Sequence, residues 1–127
     1  MKSLNRYIQE KLIIKKNKRI DYKYFPQTKK GLKDIILKRI KDEGNEVDLN
    51  DIDVSKITDM SELFRNLDFN GDISNWDVSN VTNMNYMFAG CEKFNQDISN
   101  WDVSNVKYAH FIFSHCPIEE KYKPKFR

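Results

Sequence analysis

From residue 48 onward the chain alternates between two hydrophobic patterns. Around Trp76 it runs Asn75, Trp76, Asp77, Val78, Ser79, so apolar and polar residues take turns with the period of two expected of a short strand. A few residues later Met84, Met87 and Phe88 fall three and four apart, the spacing of one apolar helix face, with Thr82 placed to cap that helix and Gly90 to end it. The pattern therefore predicts strand, turn, short helix and return. Upstream, Ser3 is placed to cap a helix carrying Leu4, Tyr7, Ile8 and Leu12. Lys18 to Phe25 alternates as a strand that Pro26 ends. Thr28 is placed to cap a second helix, with Leu32, Ile35, Ile36 and Ile40 as its apolar stripe and Gly44 closing it.

The downstream pattern is a repeat. The ten residues DISNWDVSNV begin at 72 and again, letter for letter, at 97, which is 25 residues further on. Residues 48–57, DLNDIDVSKI, form a diverged earlier copy, with Asp48, Leu49, Ile52, Asp53, Val54, Ser55 and Ile57 in register. Each is followed by a second block, at 58–67, 82–91 and 107–116. In these blocks Met60/Met84/Ala109, Leu63/Met87/Ile112, Phe64/Phe88/Phe113 and Leu67/Cys91/Cys116 correspond. A period of this length indicates units that stack because none can bury its apolar face alone. Trp76 and Trp101 are expected to face inward, one above the other.

The motif I-x-x-W-D-V-S-N-V-x-x-M-x-x-M-F-x-x-C-x-x-F-N-x-D resembles the BspA-like leucine-rich repeat family, found in surface proteins of mycoplasmas and gut bacteria and in bacteriophage proteins. The resemblance covers about 48–116. It implies a right-handed solenoid that contacts other proteins, without enzymatic activity. Family members usually carry more repeats, and the third unit departs from the pattern at Lys107, Tyr108, Ala109 and His110. The fold class expected is α/β: a short leucine-rich-repeat solenoid of about three strand–helix coils behind an N-terminal helix–strand–helix cap. The chain reads as a single domain over 1–127, with the cap at 1–47, three repeats at 48–121 and a tail at 122–127.

The net charge of +3 hides an asymmetry. Residues 1–44 hold 14 Lys and Arg against 5 Asp and Glu, residues 45–116 hold 4 against 12, and residues 117–127 hold 4 against 2. The basic part either attracts the acidic repeats within the molecule or meets an acidic partner. Lys15, Lys16, Lys18 and Arg19, with Tyr22, Tyr24 and Phe25 close behind, give a nucleic-acid alternative. The longest apolar run near the start is Leu12–Ile14, too short for a secretory segment or a membrane span, so the chain is expected in the cytoplasm.

Signals for catalysis and for bound ions are weak. No G-x-G-x-x-G, P-loop or C-x-x-C spacing occurs. Asp68, Asn70 and Asp72 fail as a calcium loop, because Ile73 stands where the loop needs glycine and Ser79 where it needs the bidentate Glu. His110, His115 and Cys116 read as surface and core residues of a variant last coil rather than metal ligands. Cys91 and Cys116 share a repeat position and read as stacked thiols, with a disulfide the alternative. No enzyme activity, cofactor or metal is expected.

The expected role is therefore to bind another protein, as a phage or prophage accessory that engages or inhibits a host protein, or as a virion component. Two sets of residues are the candidates. Tyr86, Tyr108, His110 and Phe111 lie where the copies differ, on the outward side of the second blocks, and aromatics are enriched at interface centres. Asn75, Asp77, Asn100 and Asp102 lie on the first blocks. Asp53, Asp77 and Asp102 recur as a carboxylate ladder that either faces a partner or accepts the N–H two residues on, at Ser55, Ser79 and Ser104.

Overall fold

The computed structural model describes residues 20–126. The first helix expected from Ser3, and Lys15, Lys16, Lys18 and Arg19, lie outside them. Among the described residues there is one α-helix, α1 (Lys29–Glu43), and one 3₁₀ turn, Glu120–Tyr122. The α1 helix is the one expected from its signals. The Thr28 hydroxyl accepts the Gly31 N–H, the chain leaves at Gly44 with φ 99°, and Leu32 and Ile36 are buried. Arg39 is buried beside them, held by Glu43 at 2.6 Å and Asp51 at 2.9 Å, with its guanidinium over the Tyr24 ring. Arg39 thus joins the helix to the repeats through a paired charge, which the apolar stripe did not reveal.

The repeats overturn the expected fold class. The α/β leucine-rich-repeat solenoid of strand–helix coils is not what forms: no repeat contains a helix, and the described residues contain no sheet. Only three isolated parallel bridges occur, Tyr24–Ile52, Asp59–Asn83 and Asn83–Tyr108. The expected Lys18–Phe25 strand is reduced, within the described residues, to the single bridge at Tyr24.

The reason lies in where the backbone groups bond. In the first blocks, Asp72 and Asp77 each accept the N–H and hydroxyl of the serine two residues on, folding the chain at both places. Each corner is then closed by a local bond, Trp76 N–H to Ile73 and Val81 N–H to Val78. Buried and exposed residues alternate because the chain turns corners, and the period of two is not that of a strand.

In the second blocks the N–H groups of Met84, Tyr86, Phe88 and Gly90 donate to the carbonyls of Tyr108, His110, Ile112 and Ser114 in the next unit. Met60, Glu62, Phe64 and Asn66 donate in the same way to Asn83, Asn85, Met87 and Ala89. Intervening N–H groups, such as those of Met87 and Cys91, close onto the carbonyl three residues back. The turns that begin at Met60, Phe64, Met84, Phe88 and Phe113 have their third residue at positive φ, at Glu62, Asn66, Tyr86, Gly90 and His115, and Phe111 shares that conformation in the column of Glu62 and Tyr86. That is the arrangement of a type II turn. Apolar positions three and four apart suit successive turns as well as they suit a helix, so the expected helix at Thr82–Gly90 is a pair of turns instead.

The buried side chains form columns through the units. Phe64, Phe88 and Phe113 stack at 5.3 and 5.7 Å, and the Trp76 and Trp101 rings lie 6.4 Å apart and nearly parallel. The indole N–H of Trp76 donates to the Leu49 carbonyl and that of Trp101 to Ile73, each in the preceding unit. One apolar cluster runs from Leu32 and Ile36 of α1 through the units to Ile118.

Three outcomes follow from this packing. Replacing Trp76 with Ala removes a buried ring and the Leu49 bond together, and is expected to cost on the order of 3–5 kcal/mol in denaturant unfolding. A melt within a degree or two of the unaltered protein would contradict the inward column. Lys33 donates to the Leu63 carbonyl at 2.6 Å, and burial lowers its pKa. Lys33→Ala leaves that carbonyl bare and should destabilise by about 1–2 kcal/mol. Burial pushes the Asp72 carboxyl upward, but the Ser74 N–H and hydroxyl and Asn50 outweigh it and hold the pKa below its ordinary 3.8. Asp59 is likewise pushed up by burial and held low by Ser61 and Lys29. For a depressed carboxylate the stabilisation is present above the unfolded pKa and is lost as the pH falls through the folded one. Thermal stability should therefore hold above pH 3.8 and drop below it, and Asp72→Asn should flatten that drop.

Candidate partner-binding face

The turns place Tyr86 and Phe111 at their corners. Both sit at positive φ, at 59° and 55°, with Tyr86 half-buried and Phe111 exposed. A bulky residue in that region costs of order 1–3 kcal/mol. The bond from the Tyr86 N–H to the His110 carbonyl at 3.0 Å helps hold its corner. The rings also stack on each other, 5.4 Å apart and tilted by 20°. Arg65 lies 4.7 Å from the centre of the Tyr86 ring and pairs with Glu62 at 3.6 Å. A surface column therefore runs from the Arg65 cation through Tyr86 to Phe111, where the outer ring face is open. Phe111 is 64% exposed and Tyr108 51%.

Tyr108 lies second in the 107–116 block, and its carbonyl accepts the Met84 N–H at 2.7 Å. The His110 N–H is taken by the Asn85 side chain at 2.7 Å, and its side chain is exposed. The fold thus brings Tyr86, Tyr108, His110 and Phe111 onto two adjacent units. Arg65 and Glu62, which complete the column, were not among the residues expected from sequence. Their signal was the shared register of Glu62, Tyr86 and Phe111.

Asn75, Asp77, Asn100 and Asp102 lie exposed on the first blocks, a different stretch of each unit. The carboxylates make the local turns expected of them. Asp53 accepts the Ser55 N–H at 3.0 Å, and Asp77 and Asp102 accept those of Ser79 and Ser104 at 3.1 Å. The Asn75 N–H bonds the Asn50 side chain one unit back. Tyr22 sits beside the start of the ladder. Burial, and then the charges of Asp53 and Asp77, raise its pKa.

Both thiols are free. The Cys91 S–H donates to the Phe64 carbonyl at 2.8 Å, and burial, with Cys116 nearby, pushes its pKa up to about 12. Cys116 is also raised, chiefly by burial. At neutral pH these are protonated packing groups, poor as nucleophiles or metal ligands. No group of three or more His, Cys, Asp or Glu side chains suited to a metal occurs among the described residues, and no helix there is long and apolar enough to cross a membrane.

Compared with known proteins, the chain matches no curated protein and no solved structure. A family model described as "Mycoplasma protein of unknown function, DUF285" matches residues 35–121, which include the last turns of α1 and all three units. That match spans well over half of the 127 residues. The stacked-turn repeats and the helix that covers their first unit are thus those of a member of the DUF285 family, to which this chain belongs.

Proposed function

We propose that the protein is a non-enzymatic binding module whose partner is another protein. The observation that carries this reading is the open end of the aromatic column. Phe111 and Tyr108 are exposed within one short turn region, and Phe111 is held out at a backbone conformation that a bulky residue adopts at a cost. Aromatics beside an arginine are the residue types from which interface hot spots are built. The repeat motif's likeness to the BspA-like family supports the same role. It also supports a phage or prophage accessory that binds a host protein in the cytoplasm, or a virion component.

A nucleic-acid role through Lys15, Lys16, Lys18 and Arg19 is the second reading. It draws on the 14 basic against 5 acidic residues of the first 44. It is weaker, because the repeats carry 12 acidic against 4 basic residues between 45 and 116, and that field repels a polyanion.

The test pairs two substitution sets. Tyr108→Ser with Phe111→Ser should lower capture of a partner from a host lysate by roughly tenfold or more, while circular dichroism stays unchanged. Changing Lys15, Lys16, Lys18 and Arg19 to Glu should leave that capture intact. Mobility-shift titrations with DNA and RNA accompany both sets. Salt-sensitive nucleic-acid binding lost with the lysine and arginine changes, alongside unaffected capture by the aromatic variant, would overturn the protein-binding reading.

A further inference from the structure

The two ends of the stack are chemically opposite. Through the turns of the second blocks, alternate N–H groups from Met60 to Asn66 and from Met84 to Gly90 donate to carbonyls of the next unit, while at the block starts the Thr82, Lys107 and Tyr108 N–H groups donate back, to Thr58 and Thr82. The first unit therefore begins with carbonyls that have no unit before them, and the last unit ends with N–H groups that have no unit after them.

At the first unit the chain supplies its own partners. The carbonyls of Ser61 and Leu63 correspond to those of Asn85 and Met87, which accept Glu62 and Phe64 N–H groups. In their place, Lys29 donates to the Ser61 carbonyl at 3.3 Å and Lys33 to the Leu63 carbonyl at 2.6 Å. Two ammonium groups, four residues apart on α1, stand in for a missing coil.

Among the described residues nothing equivalent is present at the last unit. The N–H groups of Ala109, Phe111, Phe113 and His115 correspond to those of Met84, Tyr86, Phe88 and Gly90, and none has a partner among the described residues. The carbonyls of Phe111 and Phe113 are turned inward, to the N–H groups of Ser114 and Cys116. At Phe111 and Phe113, in the middle of the row, the edge therefore offers N–H donors whose own carbonyls are already bonded. The tail reaches Phe113 through Lys123, 5.4 Å from the ring centre, but Phe111 stays exposed. Glu119 and Glu120 pair with Lys121 and Lys123, while Lys107, His110 and His115 are exposed beside the row.

Following on from the protein-binding reading, we propose that this edge docks an acidic segment of a partner protein. Carboxylates of that segment take the N–H row as Lys29 and Lys33 take the carbonyl row at the other end, and an apolar side chain covers Phe111. Charge complementarity selects this occupant, because residues 107–127 hold 5 Lys and Arg against 2 Glu, and N–H donors in a basic stretch call for anionic acceptors. A second copy does not fit. Edge to edge, N–H groups meet N–H groups, and in another copy the Ser61 and Leu63 carbonyls are already taken by Lys29 and Lys33 of α1. A nucleic acid is disfavoured because its charge continues beyond the edge and would meet the net −8 of residues 45–116, whereas a short acidic segment stays beside the basic residues 107–127.

The probe is a synthetic peptide of residues 28–43 carrying Lys29→Glu and Lys33→Glu, compared with the unaltered peptide and a single-stranded oligonucleotide. Amide resonances of the full-length protein are followed by NMR. Before addition, the four edge amides should exchange faster than those of Met84, Tyr86, Phe88 and Gly90. The acidic peptide should shift and protect the four amides, while the unaltered peptide should not. Phe111→Gly suits the positive φ and keeps the N–H, and it should weaken binding roughly tenfold. Sedimentation should show a monomer.

Equal protection of both rows, acidic-peptide binding that leaves the edge amides unmoved, no binding at all, self-association that protects the edge, or the oligonucleotide taking the edge would each overturn the proposal. Failure here with partner capture still dependent on Tyr108 and Phe111 would remove the acidic edge and leave the protein-binding reading standing.

Discussion

The structure depends on one directional set of hydrogen bonds. Alternate N–H groups of each second block leave their own unit and bond the next, from Met60 to Asn83, Glu62 to Asn85, Phe64 to Met87, and onward to the third unit. A helix would keep those donors for the carbonyl four residues back, and a strand ladder would leave no bonds three residues back. Meeting both demands in one segment forces a run of four-residue turns. The positive φ at Glu62, Tyr86, Phe111, Asn66, Gly90 and His115 follows from this. So do the columns of stacked rings, because residues locked in backbone register bring identical side chains face to face.

Polar side chains extend the same stacking. The Asn50 side chain accepts the Asn75 N–H, and Asn70 and Asn95 accept those of Asn95 and Glu119. Asn80 and Asn105 reach back to the Ser55 and Ser79 carbonyls. Few backbone groups are paired in regular structure here, and an unpaired buried group costs about as much as a lost hydrogen bond. The many asparagines fill that deficit. The repeated D-x-S sequence has a similar cause: each aspartate satisfies a serine N–H at a corner and offsets the repulsion of stacked carboxylates.

A stack with a direction has unlike ends, and the chain treats them unlike. The α1 helix covers the apolar end of the first unit with Leu32 and Ile36 while its lysines take the carbonyls. The far end is only partly covered, by Ile118, Tyr122 and Phe126. The aromatic column of Tyr86 and Phe111 ends there because no further unit lies on it. Candidate binding residues and the unpaired N–H row share one origin, the end of the repeat.

Much of this was legible in the residues alone. The period, the register of the copies, the inward Trp and Phe columns, the Thr28–Gly44 helix with its caps, and the turns at Asp53, Asp77 and Asp102 all follow from local chemistry and spacing. The strand and helix assignments within the repeat did not hold. Apolar residues at Met84, Met87 and Phe88 satisfy a helix and a chain of type II turns equally, and alternation around Trp76 satisfies a strand and a chain of corners equally. Side-chain spacing reports which residues face the core, but it does not report where the N–H groups go. That was decided only when a neighbouring unit lay alongside, because its carbonyls compete with the local ones for the same donors. The buried Arg39–Asp51 pair and the Lys29 and Lys33 bonds to the first unit are of the same kind, since they need partners 12 to 32 residues away that only the folded chain brings into reach.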